Sequence, residues 1–266
     1  MAISAKEVMS LRRRTGLGMM ECKQALTETK GDLDAAIELL RKKSKGKMDE
    51  RADRSASEGV IAVAKSDAAI AMVELLSETD FAARNNSFVD ATGQIAELAL
   101  AANDGPVSET KQMTNIVDEL RITIKENISL GRAMRISGGK LGSYVHHNNR
   151  IGTIVQVRGD FSDELLTGLC QHVAAAEPMP LAVDDSGLPA DLLEQQRAAA
   201  VADAKESGKP PEIAEKIAGG KLRKWVDDNT LLGQIYLRDM DAKKPVRDYL
   251  TKGSSVQQFV RFKIGD

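Results

Sequence analysis

The chain has 266 residues, room for two or more domains, and its many charged residues (29%) nearly cancel to a formal net charge of −2. So balanced a charge gives no whole-protein field to draw in nucleic acid, and an aromatic content of 3% supplies few stacking platforms for single strands. Cys22 and Cys170 fall in separate apolar helical patterns, which suits small core residues of a reducing compartment rather than a disulfide or metal pair. Met1-Ala2-Ile3-Ser4 carries no apolar signal core and no run approaches bilayer length, so a soluble cytoplasmic protein is expected.

Ser4 and Glu7 have capping-box spacing, and Val8 and Leu11 follow on one helical face until Gly16 and Gly18 interrupt it. Met19, Cys22, Ala25 and Leu26 form a second short stripe closed by Gly31. Asp32 then caps a third, with Leu33, Ala36, Ile37 and Leu40 at helical spacing. For Thr15 to Met20 the pattern allows two readings: a helix–helix turn with Met19 in the core, or a loop that presents Met20 or Leu17 outward. From Arg41 to Arg54 seven basic residues face three acidic ones with almost nothing apolar. No aromatic interleaves them, so a solvated linker or exposed helix is favoured over a nucleic-acid arm.

Val60, Ile61 and Val63, then Ile70, Met72, Val73 and Leu75, read as strands joined at Ser66-Asp67. The second strand runs straight into Ser77-Glu78-Thr79-Asp80-Phe81-Ala82-Ala83-Arg84, where Ser77 and Thr79 are helix-starting residues. Phe81 thus sits on a strand-to-helix turn, either as a staple packed on its own helix or as a ring pointing outward. Two helices follow, one carrying Phe88, Thr92, Ile95, Ala96 and Ala99, the other Val117, Leu120, Ile124 and Ile128. A short strand from Ala133 to Ser137 closes this part.

The plan then repeats. Strands at Gly142 to Val145 and Ile151 to Val157 flank a turn at Asn148-Asn149, and Ser162 caps a helix bearing Leu165, Leu166, Leu169, Cys170, Val173 and Ala174. Aligning Gly59 with Gly142, and Phe88-Val89-Asp90 with Phe161-Ser162-Asp163, suggests an internal duplication. Residues 190–207 and 211–227 read as two helices turning at Gly208 to Pro211, with Leu192, Ala199 and Ala202 facing Ile213, Ile217 and Trp225. Strands at Leu231 to Leu237 and Val256 to Ile264, with a short helix at Val246 to Leu250, complete an α+β pattern with antiparallel sheets.

Little here points to catalysis. Gly138-Gly139-Lys140 and Gly219-Gly220-Lys221 lack the spacing and hydroxyl of a phosphate-binding loop, so direct nucleotide binding is not expected. His146 and His147, if both on a strand, point to opposite faces and cannot share a metal, and His172 reads as a half-buried structural residue. No nucleophile elbow places a Ser-His-Asp set. Neither cofactor nor metal is expected, and the chain reads as a non-enzyme.

Four ordered stretches carry a resemblance: Arg14-Thr15-Gly16-Leu17-Gly18-Met19-Met20 with the six residues after it, Thr79-Asp80-Phe81 with Ala82-Ala83-Arg84-Asn85, Gly142-Ser143-Tyr144-Val145-His146 with Arg150-Ile151-Gly152, and Arg261-Phe262. Together they resemble the bacterial elongation factor Ts family, guanine-nucleotide exchange factors for elongation factor Tu. The resemblance implies elongation factor Tu as partner, with Phe81 entering its GTPase domain, Asp80 disturbing the network around Mg²⁺, and Thr79 and Ala82 completing the contact. Ala82 stands where a valine is common in the family. His146 is implied to press near the phosphate side, and Arg14, Thr15, Gly16, Leu17, Gly18, Met19 and Met20 to touch the partner from a three-helix module similar to ubiquitin-associated domains. Many members continue into a further C-terminal helical module, which lies outside this chain ending at Asp266.

The expected organisation is a three-helix module with basic linker (1–54), two halves of a duplicated α+β core (55–140, then 141–180 with 229–266), and an inserted coiled-coil-like antiparallel helical hairpin (181–228). Core and hairpin are candidate surfaces for a homodimer or a two-to-two complex. The rival reading is an RNA- or ribosome-binding protein acting through 41–54.

Overall fold

The local signals at the N-terminus act as their spacing predicts. In the computed structural model, which describes residues 3–49, 51, 53–206 and 210–266, Ser4 and Glu7 form a reciprocal capping box that starts α1 (Ala5–Thr15). Gly16 ends it in the left-handed region at φ 68°, where a Cβ would also strike Thr123. Helix α2 (Met19–Glu28) follows, and the Asp32 carboxylate accepts from Asp34 and Ala35 at the start of α3 (Leu33–Asp49). Val8, Leu11, Cys22, Leu26, Ala36 and Leu40 close a small core to which Ile122 also contributes. Most of the basic segment thus continues α3 rather than forming an extended linker.

The chain divides into two compact units. The first comprises Met1–Asp67, Ala71–Arg135 and Lys263–Asp266; the second comprises Ala68–Ile70 and Ile136–Phe262. After the helical module come β1 (Glu58–Lys65), β2 (Ala69–Ser77), the one-turn α4 (Asp80–Ala83), α5 (Asn86–Ala99), a two-residue β3 (Gly105–Pro106), α6 (Lys111–Ile124) and β4 (Ser129–Ser137). The sheet order is β1-β2-β4-β3. β2 is buried almost along its length, as its unbroken apolar run requires, and Phe88, Ile95, Met113 and Val117 pack on Val73 and Leu75. The expected helix to Ile128 instead stops at Ile124, because Lys125 turns left-handed (φ 67°) and Ile128 enters the core from the following loop. Strand β4 begins four residues earlier than Ala133.

The single charge on β2, Glu74, is buried and held by Arg132. Nη2 donates to Oε1 at 2.7 Å, Nε to Oε2 at 3.0 Å, and the Arg132 backbone N–H to Oε2 at 3.1 Å. A Cβ on the preceding Gly131 would lie 2.6 Å from that carboxylate, so the fork closes only over glycine. This hydrogen bonding also raises the Arg132 pKa above its usual value.

The second unit holds β5 (Lys140–Val145), β6 (Ile151–Arg158), α7 (Asp163–Ala175), α8 (Ala190–Glu206), α9 (Pro211–Asn229) and β7 (Ser255–Lys263), with sheet order β5-β6-β7. β5 and β6 pair antiparallel from Lys140 opposite Val157 to Val145 opposite Gly152. Each unit therefore sets a strand hairpin first, a helix next, and a later strand beside the second hairpin strand. The chain is an α+β protein.

Two expected features come out differently. Leu231 to Leu237 is not a strand: Thr230 accepts from the N–H groups of Gly233 and Gln234, which folds the backbone into a turn, and only isolated bridges link Thr230 to Ala182 and Ile235 to Pro245. In the α8–α9 hairpin, Ala199 and Ala202 are exposed, and the buried contact is Ala200 and Ala204 against Ala214 and Ala218, with Ile217 alongside. Alanine at those sites lets two helices approach closely with little apolar area. The turn around Ser207 to Lys209 lies outside the described residues.

His172 is fully rather than half-buried, because α7 turns it inward between Gln234 and the segment at Leu237. Its Nδ1 accepts from the Leu237 N–H (3.3 Å), which leaves Nε2–H to donate to Gln234 Oε1 (3.0 Å). Burial lowers its pKa below the ordinary 6.5. The unfolded chain therefore takes up a proton that the fold refuses, and stability is lost as pH falls through and below 6.5. Urea titrations across that range are expected to show the decline, and His172→Gln is expected to flatten it.

Candidate functional site

The bend after β2 is built by capping. Thr79 Oγ1 accepts from the Ala82 N–H (3.2 Å), so α4 starts one residue later and Phe81 lies on its first turn. Ala82 and Ala83 are buried and face the core, whereas the Phe81 ring is 83% exposed. The staple reading does not hold: the ring stands in solvent. Leaving a phenyl group in water forgoes about 1.5–3 kcal/mol that its burial would supply.

The bend is pinned from a distant part of the chain. Thr79 Oγ1 and its N–H donate to the two oxygens of Glu126, at 2.6 and 3.0 Å, and Ser77 Oγ donates to the Thr79 carbonyl at 3.0 Å. Next to it, the Asn127 N–H donates to Glu78 at 2.6 Å, and Arg54 pairs with Glu78 at 3.4 Å. Glu126 and Asn127 directly follow the left-handed Lys125, so the end of α6 aims them at the bend. No sequence reading marked these residues, since they act across 47 and 49 positions and match no local spacing. Asp80 is partly exposed and paired with Arg84 at 2.9 Å, an exposed pair that salt screens readily.

The residues between α1 and α2 separate by role. Leu17 is buried in the module core, while Met20 is 75% exposed and Met19, expected inside by one reading, is 42% exposed. Thr15 Oγ1 donates to the Leu11 carbonyl, closing α1. Gly18 precedes α2, with Glu21 reaching back to its N–H at 3.2 Å. Arg14 pairs loosely with Asp34 across two exposed side chains.

His146 lies in the second unit. β5 ends at Val145, so His146 and His147 both sit in the turn, and their rings approach to 4.2 Å instead of pointing to opposite faces. Tyr144 and the His146 Nδ1 are hydrogen-bonded at 2.8 Å, which fixes the orientation of the half-exposed imidazole. Two residues apart, these side chains share one side of the hairpin, a signal the sequence carried. Among the described residues, no three His, Cys, Asp or Glu side chains gather as a metal cluster, and no helix is long and apolar enough to cross a membrane. Cys22 and Cys170 are buried thiols that form no disulfide.

Fold and bend together define an α+β protein that displays an aromatic side chain from a pinned turn. Residues 78–266 match the family model described as Elongation factor TS. Over the whole chain, the protein is 42% identical to "Elongation factor Ts" of Thioalkalivibrio sulfidiphilus and 40% identical to that of Alkalilimnicola ehrlichii, covering 93% of each. A Psychrobacter relative of the same name is 41% identical over 99% of this chain and 91% of its own. The chain belongs to the elongation factor Ts family and is a translation elongation factor.

Removing the Glu126 carboxylate strands two donors on Thr79. Glu126→Ala is expected to lower stability by about 1–3 kcal/mol. It should also speed amide hydrogen exchange at Thr79 and Ala82 well beyond that of the β2 interior.

Proposed function

We propose that this chain is a guanine-nucleotide exchange factor that binds elongation factor Tu carrying GDP and promotes GDP release. The observation that carries the reading is the exposed Phe81 ring on a bend fixed by Glu126. A factor of this kind binds the nucleotide-free GTPase more tightly than the loaded one, and linkage makes the weakening mutual. Each ~1.4 kcal/mol of coupling changes affinity about tenfold, and burying one phenyl group supplies ~1.5–3 kcal/mol. One inserted ring is therefore on the scale needed to loosen a nucleotide site without any covalent step.

In this reading Phe81 packs into the GTPase domain, Thr79 and Ala82 set its angle, and Asp80 trades its exposed Arg84 pair for a disturbance of the Mg²⁺ network. His146, braced by Tyr144, approaches the phosphate side. Residues Arg14 to Met20 form a second docking surface on the module spanning 1–54, with Met20 as the most available side chain. The work takes place in the cytoplasm, and the factor itself holds no nucleotide. The RNA-binding reading is weakened because Lys43, Arg41 and Arg54 already pair with Glu28, Glu38 and Glu78.

The hairpin within 181–228 leaves and rejoins the core through neighbouring backbone, with the Leu181 N–H bonded to Asn229 and the Leu231 N–H to Ala182, both at 2.9 Å. Such closely spaced ends suit a protrusion that serves self-association, as a homodimer or a two-to-two complex, rather than exchange.

Phe81→Ala is expected to leave the melting temperature nearly unchanged while cutting stimulated release of fluorescent GDP from elongation factor Tu by about an order of magnitude or more. A collapse in melting temperature would instead show the ring to be structural. Replacing 185–227 by a short linker should preserve exchange and alter the sedimentation behaviour; a folded core that has lost exchange would refute the protrusion.

A further inference from the structure

A cavity of about 270 Å³ opens between the three-helix module and α6. Its floor is apolar, formed by Leu17, Ala25 and Leu40 of the module and Ile122 of α6. Its rim is cationic: Lys43, Arg51, Arg121 and Lys125 stand against one acid, Glu21. Lys125 holds Glu21 at 3.0 Å, Lys43 holds Glu28 at 2.7 Å, and Arg121 pairs with Asp118 at 3.1 Å. The lining as a whole thus carries four cations to one carboxylate.

An apolar floor beneath a mostly cationic rim is satisfied by neither a neutral apolar molecule nor a bare ion. The first brings no anion to the cationic rim, and the second leaves the floor wet. We propose that the cavity binds a small phosphate monoester carried on an apolar body. The phosphate sits against Arg51, within reach of the Lys43 and Lys125 ammonium groups, and the body covers Leu17, Leu40 and Ile122. A doubly charged phosphate suits several neighbouring cations better than a carboxylate does, and a guanidinium meets it through two parallel hydrogen bonds. The volume lies just below the roughly 300–1,000 Å³ usual for ligand pockets, so the body is no larger than a ring system. Because the ligand would touch α2, α3 and α6 together, it would tie the module to the rest of its unit. This assignment does not rest on the exchange reading: it involves none of the residues from Thr79 to Ala82 and shares only Leu17 with the docking surface proposed for the module.

The test is calorimetry on the full chain with phenyl phosphate, beside inorganic phosphate and phenol as half-probes, with methyl NMR shifts to locate the site. Phenyl phosphate is expected to bind at one site about tenfold or more tighter than either half-probe. The shifts should fall on Ala25 and Ile122. Arg51→Gln and, separately, Lys43→Gln should weaken binding, the former by about tenfold, with the melting temperature of the free protein retained. Equal affinity for phenyl phosphate and inorganic phosphate, undiminished binding to Arg51→Gln, or shifts confined to another surface would each overturn the assignment.

Discussion

The bond between Thr79 and Glu126 governs what this molecule can present. Thr79 uses its hydroxyl and its backbone N–H on one carboxylate and a hydroxyl lone pair on the Ala82 N–H, so a single residue holds the end of the strand, starts the helix and fixes the angle between them. With Ala82 and Ala83 buried beneath it, the one-turn helix has no freedom to roll Phe81 inward. The exposure of that ring follows from how its neighbours are satisfied, because a phenyl group left to itself seeks cover.

Each unit also contains a buried polar centre that selects one arrangement of its elements. In the first, Glu74 accepts three bonds from Arg132, whose Nη2 also donates to the Lys263 carbonyl at 2.8 Å. In the second, Gln234 accepts from His172 and donates to the carbonyls of Pro178 and Asp228 at 2.7 and 2.8 Å. That one amide joins α7 to both ends of the segment carrying the hairpin. An alternative packing would strand several of these groups at once, which is costly in a low-dielectric interior. The hairpin itself needs no comparable centre, since alanine contacts suffice to hold two helices that carry little load.

Local chemistry was legible in the sequence wherever a residue acts on its neighbours. Ser4 with Glu7, Asp32, Thr79 and Ser162 all cap as their spacing predicts. The apolar run of β2 declared its burial for the same reason. What sequence could not supply were the effects of distant partners. Glu126 has no pattern linking it to Thr79, Lys125 ends α6 despite an apolar repeat that invites continuation, and Leu231 to Leu237 reads as a strand until Thr230 captures two of its N–H groups. Phe81 lies between these cases. Its turn was readable, but whether the ring faced in or out depended on contacts made elsewhere, and only the family resemblance inclined the reading outward.

The pinning also bears on energetics. An inserted side chain that must first be ordered loses about 0.5–1.5 kcal/mol on binding, and any loop that carries it loses more. Against a phenyl group worth ~1.5–3 kcal/mol when buried, such a loss would erase much of the available effect. A ring on a flexible loop would then make a poor wedge however apolar it was. Here the ordering has already occurred during folding, at the expense of Glu126, Glu78 and the buried alanines, so nearly all of the ring's burial energy remains for a partner. The same reasoning applies to His146, whose bond to Tyr144 restricts its rotation before any contact is made. A scaffold that spends stability on holding a few exposed groups still is what the exchange activity proposed above requires, because such an activity depends on a difference between two bound states.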